Sequence, residues 1–349
     1  MKDGVEISGW KKKNKANTTP MKFFYLLLFF IGTGRCVVSQ RQWVNVDEQF
    51  GKMPASFHIF KSTDSLDGKP FIAFYSIAKL KSKAHRFETD TTTKRRLTPT
   101  QFYEKNNHPL LVVNASFFSF STHQNLNLVI KQGEMVGYNI HTIPMKGKDT
   151  LQYRHPLGSA LGISKKGRAD IAWLLTDSST HYPLALQFPV KPIKDSFARP
   201  SNAYLQQQYL RLADTNKLAG FKQWKMYTAV GGGPVLLQQG KIHISNNEEM
   251  KFAGKAIDDK HPRTAIGYTA DGYLIIMVIQ GRFPGKAEGA TLTQTAALLK
   301  ELGCVEAINL DGGGSSAMLI NGKPTILPSD KEGERMVPGV LMITSSANK

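Results

Sequence analysis

The residues best equipped for chemistry form one run, Asn309-Leu310-Asp311-Gly312-Gly313-Gly314-Ser315-Ser316. It gathers a carboxamide, a carboxylate and two hydroxyls around three successive glycines. Residues 305–308 before it and 317–320 after it are apolar and read as short strands, the second ending at an Asn321-Gly322 turn. Three glycines weaken any regular element and suit backbone that bends tightly or lets a ligand approach. Such backbone can aim successive N–H groups at an anion. Asp311, at a strand end, then offers a nucleophile or an electrostatic stabiliser, with Ser315 and Ser316 as hydroxyl donors. Gly231-Gly232-Gly233 offers a second nest of the same kind, through Gly232 and Gly233. A structural reading competes for both runs: a turn capped by Asp311, and close packing of two turns.

Several other chemistries lack their residues. Gly-Gly-Gly-Ser-Ser has no lysine where a nucleotide-binding phosphate loop needs one. Ser316 is followed by Ala317-Met318, not by the glycine of a nucleophile elbow. No His-x-x-x-His or paired-cysteine spacing marks a zinc site. Asp258, Asp259 and Asp311 are oxygen ligands of the type Ca²⁺ takes, but a full shell needs several more. No cofactor is firmly implied, and a divalent cation such as Ca²⁺ stays open. His261 is a candidate base, Glu288 a candidate second carboxylate, and Phe117 and Phe118 are either a sugar-stacking pair or core.

The elements that must position these residues are mostly short strands. Residues 71–80 and 110–118 are rich in β-branched and aromatic side chains and read as buried strands. Asp271-Gly272 and Asn321-Gly322 mark hairpins, because such pairs favour turns with positive φ at both central residues. Gln239-Gly240 marks a weaker one. Pro324 cannot donate to a ladder and predicts an edge arm. A helix is expected over 292–302: Thr291 and Gln294 form a capping box, and Gly303 closes it. A second helix is expected over 202–217. Residues 177–201, rich in proline and polar residues, read as a long loop or lid. The expected fold class is α+β: a mixed, strand-rich catalytic domain with several hairpins and a few helices.

Composition fits a globular chain, with 41% hydrophobic and 21% charged residues among 349. The net charge of +18 is unusual. Residues 1–39 carry seven Lys and Arg against Asp3 and Glu6, which leaves +13 on the remainder. That excess suggests anionic ligands or surfaces, although a solvated basic surface is the plainer reading. It does not suggest nucleic acid, because no aromatic-studded basic motif accompanies it. Residues 11–22 are basic, 23–31 are apolar but too short to span a bilayer well, and Val37-Val38-Ser39 offers a cleavage site before Gln40. The expectation is a cleaved export signal over 1–39, no stable membrane span afterwards, and a periplasmic or envelope location. Met21 is an alternative start, and an uncleaved anchor is the alternative reading. Cleavage would leave Cys304 as the sole cysteine, so no intrachain disulfide is expected.

In the order Asn114-Ala115-Ser116-Phe117-Phe118, Gly231-Gly232-Gly233-Pro234, His261-Pro262-Arg263, Gln280-Gly281-Arg282, Gly289-Ala290-Thr291 and Asn309 to Ser316, the chain resembles the phosphodiester glycosidase family. The likeness covers roughly 70–345, within an expected domain over 71–349 that follows a strand-rich extension over 40–70. Two departures stand out. Asn114-Ala115-Ser116 replaces the family's Asn-Gly-Gly, and Gln280-Gly281-Arg282 its Asp-Gly-Arg.

The resemblance implies an exported hydrolase that cleaves a sugar 1-phosphodiester at the anomeric carbon, for instance an N-acetylhexosamine phosphodiester of a surface glycan. A phosphate monoester leaves readily, so the site needs cationic and N–H donors on the phosphate and a carboxylate near the oxocarbenium-like centre. Arg263 and Arg282 are the candidates for the phosphate, since a guanidinium can grip two oxygens at once. Asp311 is the candidate carboxylate. Asn114 and Asn309 would bind sugar hydroxyls or orient Asp311. The implied partner is a sugar phosphate or anionic glycan. A phosphodiesterase attacking phosphorus and a non-catalytic glycan-binding envelope protein are the alternatives.

Overall fold

The structure is a computed structural model that describes residues 41–214 and 220–346. The expected export signal lies outside the described residues. Among these, three antiparallel sheets carry the fold. The largest runs in the order Val44–Asn45, Phe57–Ser62, Ala73–Lys79, Tyr273–Ile279, Arg263–Thr269, Cys304–Asn309, Val235–Gln238 and Lys241–Ile242. A second centres on Ala169–Leu175, Gly158–Ile163 and Thr228–Gly231. A third runs Lys323–Pro324, Met318–Ile320, Leu111–Asn114, Gly339–Ser345 and His85–Thr91, with Pro324 on its outer arm.

Alternation along the strands explains how the large sheet buries both faces. Leu274, Ile276, Val278, Ile266 and Ile308 enter a core shared with Trp173, Val113 and Leu341 of the other two sheets. Their neighbours Ile275, Met277, Ala265 and Ala307 point the other way, as a period of two requires. The helix Leu292–Glu301 covers that second face with Leu292, Ala296 and Leu299. It begins at the capping box of Thr291 and Gln294, with both reciprocal bonds formed, and Gly303 follows at φ 83°.

Some elements differ from expectation. The segment 177–201 holds two short strands, Leu184–Leu186 and Ile193–Asp195. Its apolar Leu184, Ala185 and Leu186 pair with 173–175, so hydrophobic residues between the prolines extend the sheet. The helix Pro99–Lys105, with its own Thr98/Gln101 capping box, was not expected. The second expected helix spans Asn202–Asp214, and the end expected for it falls outside the described residues. Among the described residues no helix is long and apolar enough to cross a membrane.

Candidate active site

Strand ends from two sheets converge on Asp311. The strand Cys304–Asn309 delivers Asn309, and Leu310 N–H then donates to Thr264 O at 2.8 Å, keeping the chain beside the start of Arg263–Thr269. Asp311 N–H donates to Ala115 O at 2.9 Å, tying the loop to the end of Leu111–Asn114. Asn114 is the clamp between them. Its Nδ2 donates to Asp311 O at 2.6 Å, while its Oδ1 accepts from Thr264 Oγ1 at 2.8 Å and Ala317 N at 3.1 Å. The strand Tyr273–Ile279 ends at Gln280-Gly281-Arg282 on the same side. The glycines there permit close approach: a Cβ on Gly281 would stand 2.7 Å from Pro262 N.

Asp311 itself is unevenly partnered. The Ser315 hydroxyl and the Gly312 N–H bind its carboxylate, yet its buried Oδ2 has no partner. Burial pushes its pKa up to about 6, against the opposing pull of Ser315, Arg335 and Gly312. Other buried polar atoms on this loop and at the strand ends tied to it also lack partners: Asn309 Oδ1, Ser116 Oγ, Ser316 Oγ and His261 Nδ1. Buried polar atoms normally find partners, so unfilled positions at strand ends are what a polar ligand would satisfy. Burial, then Arg263 and Arg282, holds the His261 pKa below its usual value. His261 is therefore a neutral imidazole at neutral pH.

Two guanidinium groups rest on the loop, and a third, that of Arg263, is held by other carbonyls. Arg282 is exposed, and its backbone is left-handed at φ 67°, a strained conformation for a side-chain-bearing residue. That bend lays its guanidinium over Gly313, with Nη2 2.9 Å from where a Cβ would stand. Arg335 grips Asp330 with Nε at 2.7 Å and Nη2 at 2.9 Å, and reaches Ser315 Oγ at 3.5 Å. This pair rests on Gly314, where any Cβ would overlap it. Phe120, 64% exposed, lies under Arg335 at 5.3 Å and Arg96 at 5.7 Å. Arg263 is different. It is buried, donates from Nε to Ala290 O at 2.9 Å and from Nη2 to Asp259 O at 2.7 Å, and lies over Phe252. Burial pushes its pKa down to about 10, so it stays charged.

The second glycine run does not make the expected nest. Gly231 N donates to Leu128 O at 2.7 Å, Gly232 N to Ser159 O at 3.0 Å and Gly233 N to Asn309 O at 2.8 Å. All three N–H groups are committed to carbonyls, so Gly232 and Gly233 serve close packing against Asn309 instead of anion binding. Asn309 returns the contact, donating from Nδ2 to Gly233 O at 3.0 Å. Asn114 likewise has no acceptor left for a sugar hydroxyl. Among the described residues no group of three or more His, Cys, Asp or Glu side chains is placed to hold a metal ion. Asp259 faces Arg263 through its carbonyl.

Residues 190–344 match the family model described as phosphodiester glycosidase. Over that span, just under half of its length, the chain is similar to phosphodiester glycosidases. Both glycine runs, the three arginines and Asp311 fall inside the matched span, whereas Asn114, Ser116 and Phe120 precede it. A prophage-derived protein of Bacillus subtilis, YomE, is 44% identical over 64 residues, 18% of this chain and 10% of its own length. Mouse N-acetylglucosamine-1-phosphodiester alpha-N-acetylglucosaminidase is 32% identical over 103 residues, 27% of this chain and 20% of its own. The chain thus spans a fifth or less of these relatives' length. The catalytic domain of the zebrafish protein of that name superposes with a TM-score of 0.53 at 20% identity, over 87% of this chain and 88% of that one. The two share a fold.

Sequence reasoning missed several residues that shape the domain's site. Arg335 and Asp330 sit in a polar stretch with no periodicity and no motif. Glu249 is another. It is buried and accepts from Ser159 N and Oγ, Trp173 Nε1, Val235 N and Ser245 Oγ. It braces the committed glycine run from behind. Its setting, Asn246-Asn247-Glu248-Glu249, reads as exposed, and nothing local reveals its burial.

Proposed function

We propose that the chain hydrolyses a sugar 1-phosphodiester by breaking the C1–O bond, with an N-acetylhexosamine as the sugar. One observation carries this reading: a carboxylate with an unpartnered oxygen lies at a glycine loop on which two guanidinium groups rest. An unpartnered carboxylate beside cations, with Asp330 already bound by Arg335, suits an anionic substrate whose leaving group already carries negative charge. In the proposed reaction water adds at C1, the C1–O bond breaks with its electron pair going to oxygen, and a phosphate monoester departs. Asp311 stabilises or attacks the developing oxocarbenium centre. Arg282 and Arg335 hold the phosphate with Ser316 as a hydroxyl donor, while Ser315 donates to Asp311. Arg263, turned toward carbonyls, contributes its field and braces the loop. Asn309 faces the sugar with its free Oδ1, and Asn114 orients Asp311 through the backbone. The family match and the name of the mouse relative support the substrate class. The basic and apolar character of 11–31 supports export to the periplasm or envelope, with 71–349 as the catalytic domain.

A second reading, a non-catalytic glycan-binding protein, draws on Gln280. It stands where the family often has an aspartate, and its Oε1 accepts from Leu327 N at 2.9 Å, a structural role. Incubation of the purified protein with α-N-acetylglucosamine-1-phospho-methyl ester in ¹⁸O water separates the readings. Label in free N-acetylglucosamine, with methyl phosphate released, is the expected result. Label in phosphate moves the attack to phosphorus, and binding without product supports the second reading. Loss of activity in a chelator would add a metal.

A further inference from the structure

A second concave surface lies at the other end of the strand Thr228–Gly231 from the glycine runs. Its floor includes Tyr227 and Thr228, and its two adjoining hollows have volumes of about 590 and 750 Å³. The hairpin tip at 164–168 supplies Lys165, Lys166 and Arg168. The segment leading into His85–Thr91 supplies Lys81, Lys83 and Arg86, and Lys225 faces them. All seven side chains are exposed. None forms an ion pair with a carboxylate among the described residues. Glu88 and Glu134 are the acidic groups lining the hollows, and Glu134 lies 3.5 Å from His181 Nδ1.

The tip is held in place. Ser164 N donates to Arg168 O and Gly167 N to Ser164 O, both at 2.9 Å. Gly167, at φ 65°, is pressed so close to Leu80 that a Cβ would stand 2.8 Å from its carbonyl oxygen. Seven unpaired cations in a fixed concavity repel one another and focus a positive field on whatever enters. Two of the lining aromatic rings already carry a lysine over one face. Lys165 lies over Tyr227 at 5.4 Å and Lys225 over Tyr182 at 5.3 Å. Single-stranded nucleic acid sites pair a basic groove with aromatic faces free to stack, so this one suits a polyanion recognised by charge alone.

We propose that this groove is an exosite for a linear glycan whose repeats are joined by phosphodiesters, the polymeric form of the substrate handled at Asp311. The identity of the repeat rests on the proposed function, whereas the polyanion binding does not. Holding one stretch of polymer in the groove raises the effective concentration of neighbouring linkages at the site. Polymer should therefore show a lower KM than the methyl phosphodiester.

The test uses the full chain, poly(N-acetylglucosamine-1-phosphate) as probe, and a thymidine oligonucleotide of equal phosphate number as rival. The variants are Lys165→Glu/Lys166→Glu on the tip and Lys83→Glu/Arg86→Glu on a separate segment, each checked for native circular dichroism. Each pair should weaken polymer binding about tenfold or more and flatten its salt dependence. Polymer KM should rise with kcat unchanged, and methyl diester kinetics should stay within about twofold. Unchanged polymer affinity in both variants overturns the proposal, as does tighter binding of the oligonucleotide than of the glycan. If wild type turns over neither substrate while both variants lose polymer binding, the proposed function fails and the polyanion groove stands.

Discussion

The two Gly-Gly-Gly runs of this molecule do different things, the first packing against Asn309 and Leu310 and the second carrying charged side chains. At 231–233 every N–H is committed to a carbonyl, and Glu249 with its five donors seals the far side. At 312–314 the N–H groups of Gly312 and Gly313 are also committed, to the Asp311 carboxylate and to Pro262 O, so no open anion nest forms. But the Arg282 guanidinium and the Arg335–Asp330 pair lie on this loop, and Asp311 keeps an unpartnered oxygen. At Gly232 the missing side chain admits main chain, and at Gly313 it admits a guanidinium. A glycine run therefore announces close approach, and the approaching group decides whether the result is a brace or a site.

The sharpest way to break this contrast is Asp311→Asn. The expected loss of turnover on the methyl phosphodiester is roughly 10³-fold or more, the scale at which a main electrostatic element is removed. Stability should move the other way. The Asp311 pKa is raised by burial from 3.8 to about 6, so the folded state binds more protons than the unfolded state between those values. Wild-type stability then falls as pH rises through that window. Above it the charged carboxylate costs about 2–3 kcal/mol, which the neutral amide avoids. Denaturant titrations should show the variant more stable at pH 8 and equal to wild type near pH 3. A less stable variant at pH 8 would favour the turn-cap role.

The two runs can also be separated by adding one methyl group to each. In Gly232→Ala the new Cβ collides with the Asn309 carbonyl and stands 2.9 Å from Leu310 Cδ2. Main chain cannot step aside, so a loss of about 3 kcal/mol is expected in chemical denaturation. In Gly314→Ala the collision is with the ends of Arg335 and Asp330. Flexible side chains can swing away, so stability should hold better while Arg335 leaves Ser315. Displacing a positioned group by an ångström costs roughly 10² in rate, and kcat should carry it. Equal losses of stability in the two variants would erase the distinction.

How much of this was visible in the sequence follows from how local each signal is. The capping box at Thr291 and the Asp-Gly and Asn-Gly turns act within four residues, and the elements they mark are present. Asn309 and Asp311 could be nominated from the glycine run itself, Asn114 and Arg282 only through the family resemblance, and the fold brings the four together. What each side chain touches was not legible. Arg263 and Arg282 look alike in sequence, yet one is buried among carbonyls and the other lies over Gly313. Arg335 reaches Ser315 through a turn whose residues give no hint of it. The helix at Pro99 carried a readable capping box, but it is seven residues long and was passed over.

The smallest effect expected bears on Ser116, where the family has glycine. It is fully buried, and its Oγ has no partner. A buried hydroxyl without a hydrogen bond has already lost water, so removing it deletes no bond and relieves a desolvated group. Ser116→Ala should leave stability within about 1 kcal/mol of wild type, on the stabilising side. Its neighbour Ala115 accepts from Asp311 N–H through its backbone, which the substitution preserves. A rise in KM without a fall in stability would make Ser116 part of the ligand surface around Asp311. Unchanged KM would leave it a packing residue and place the ligand on the side of Arg282 and Arg335.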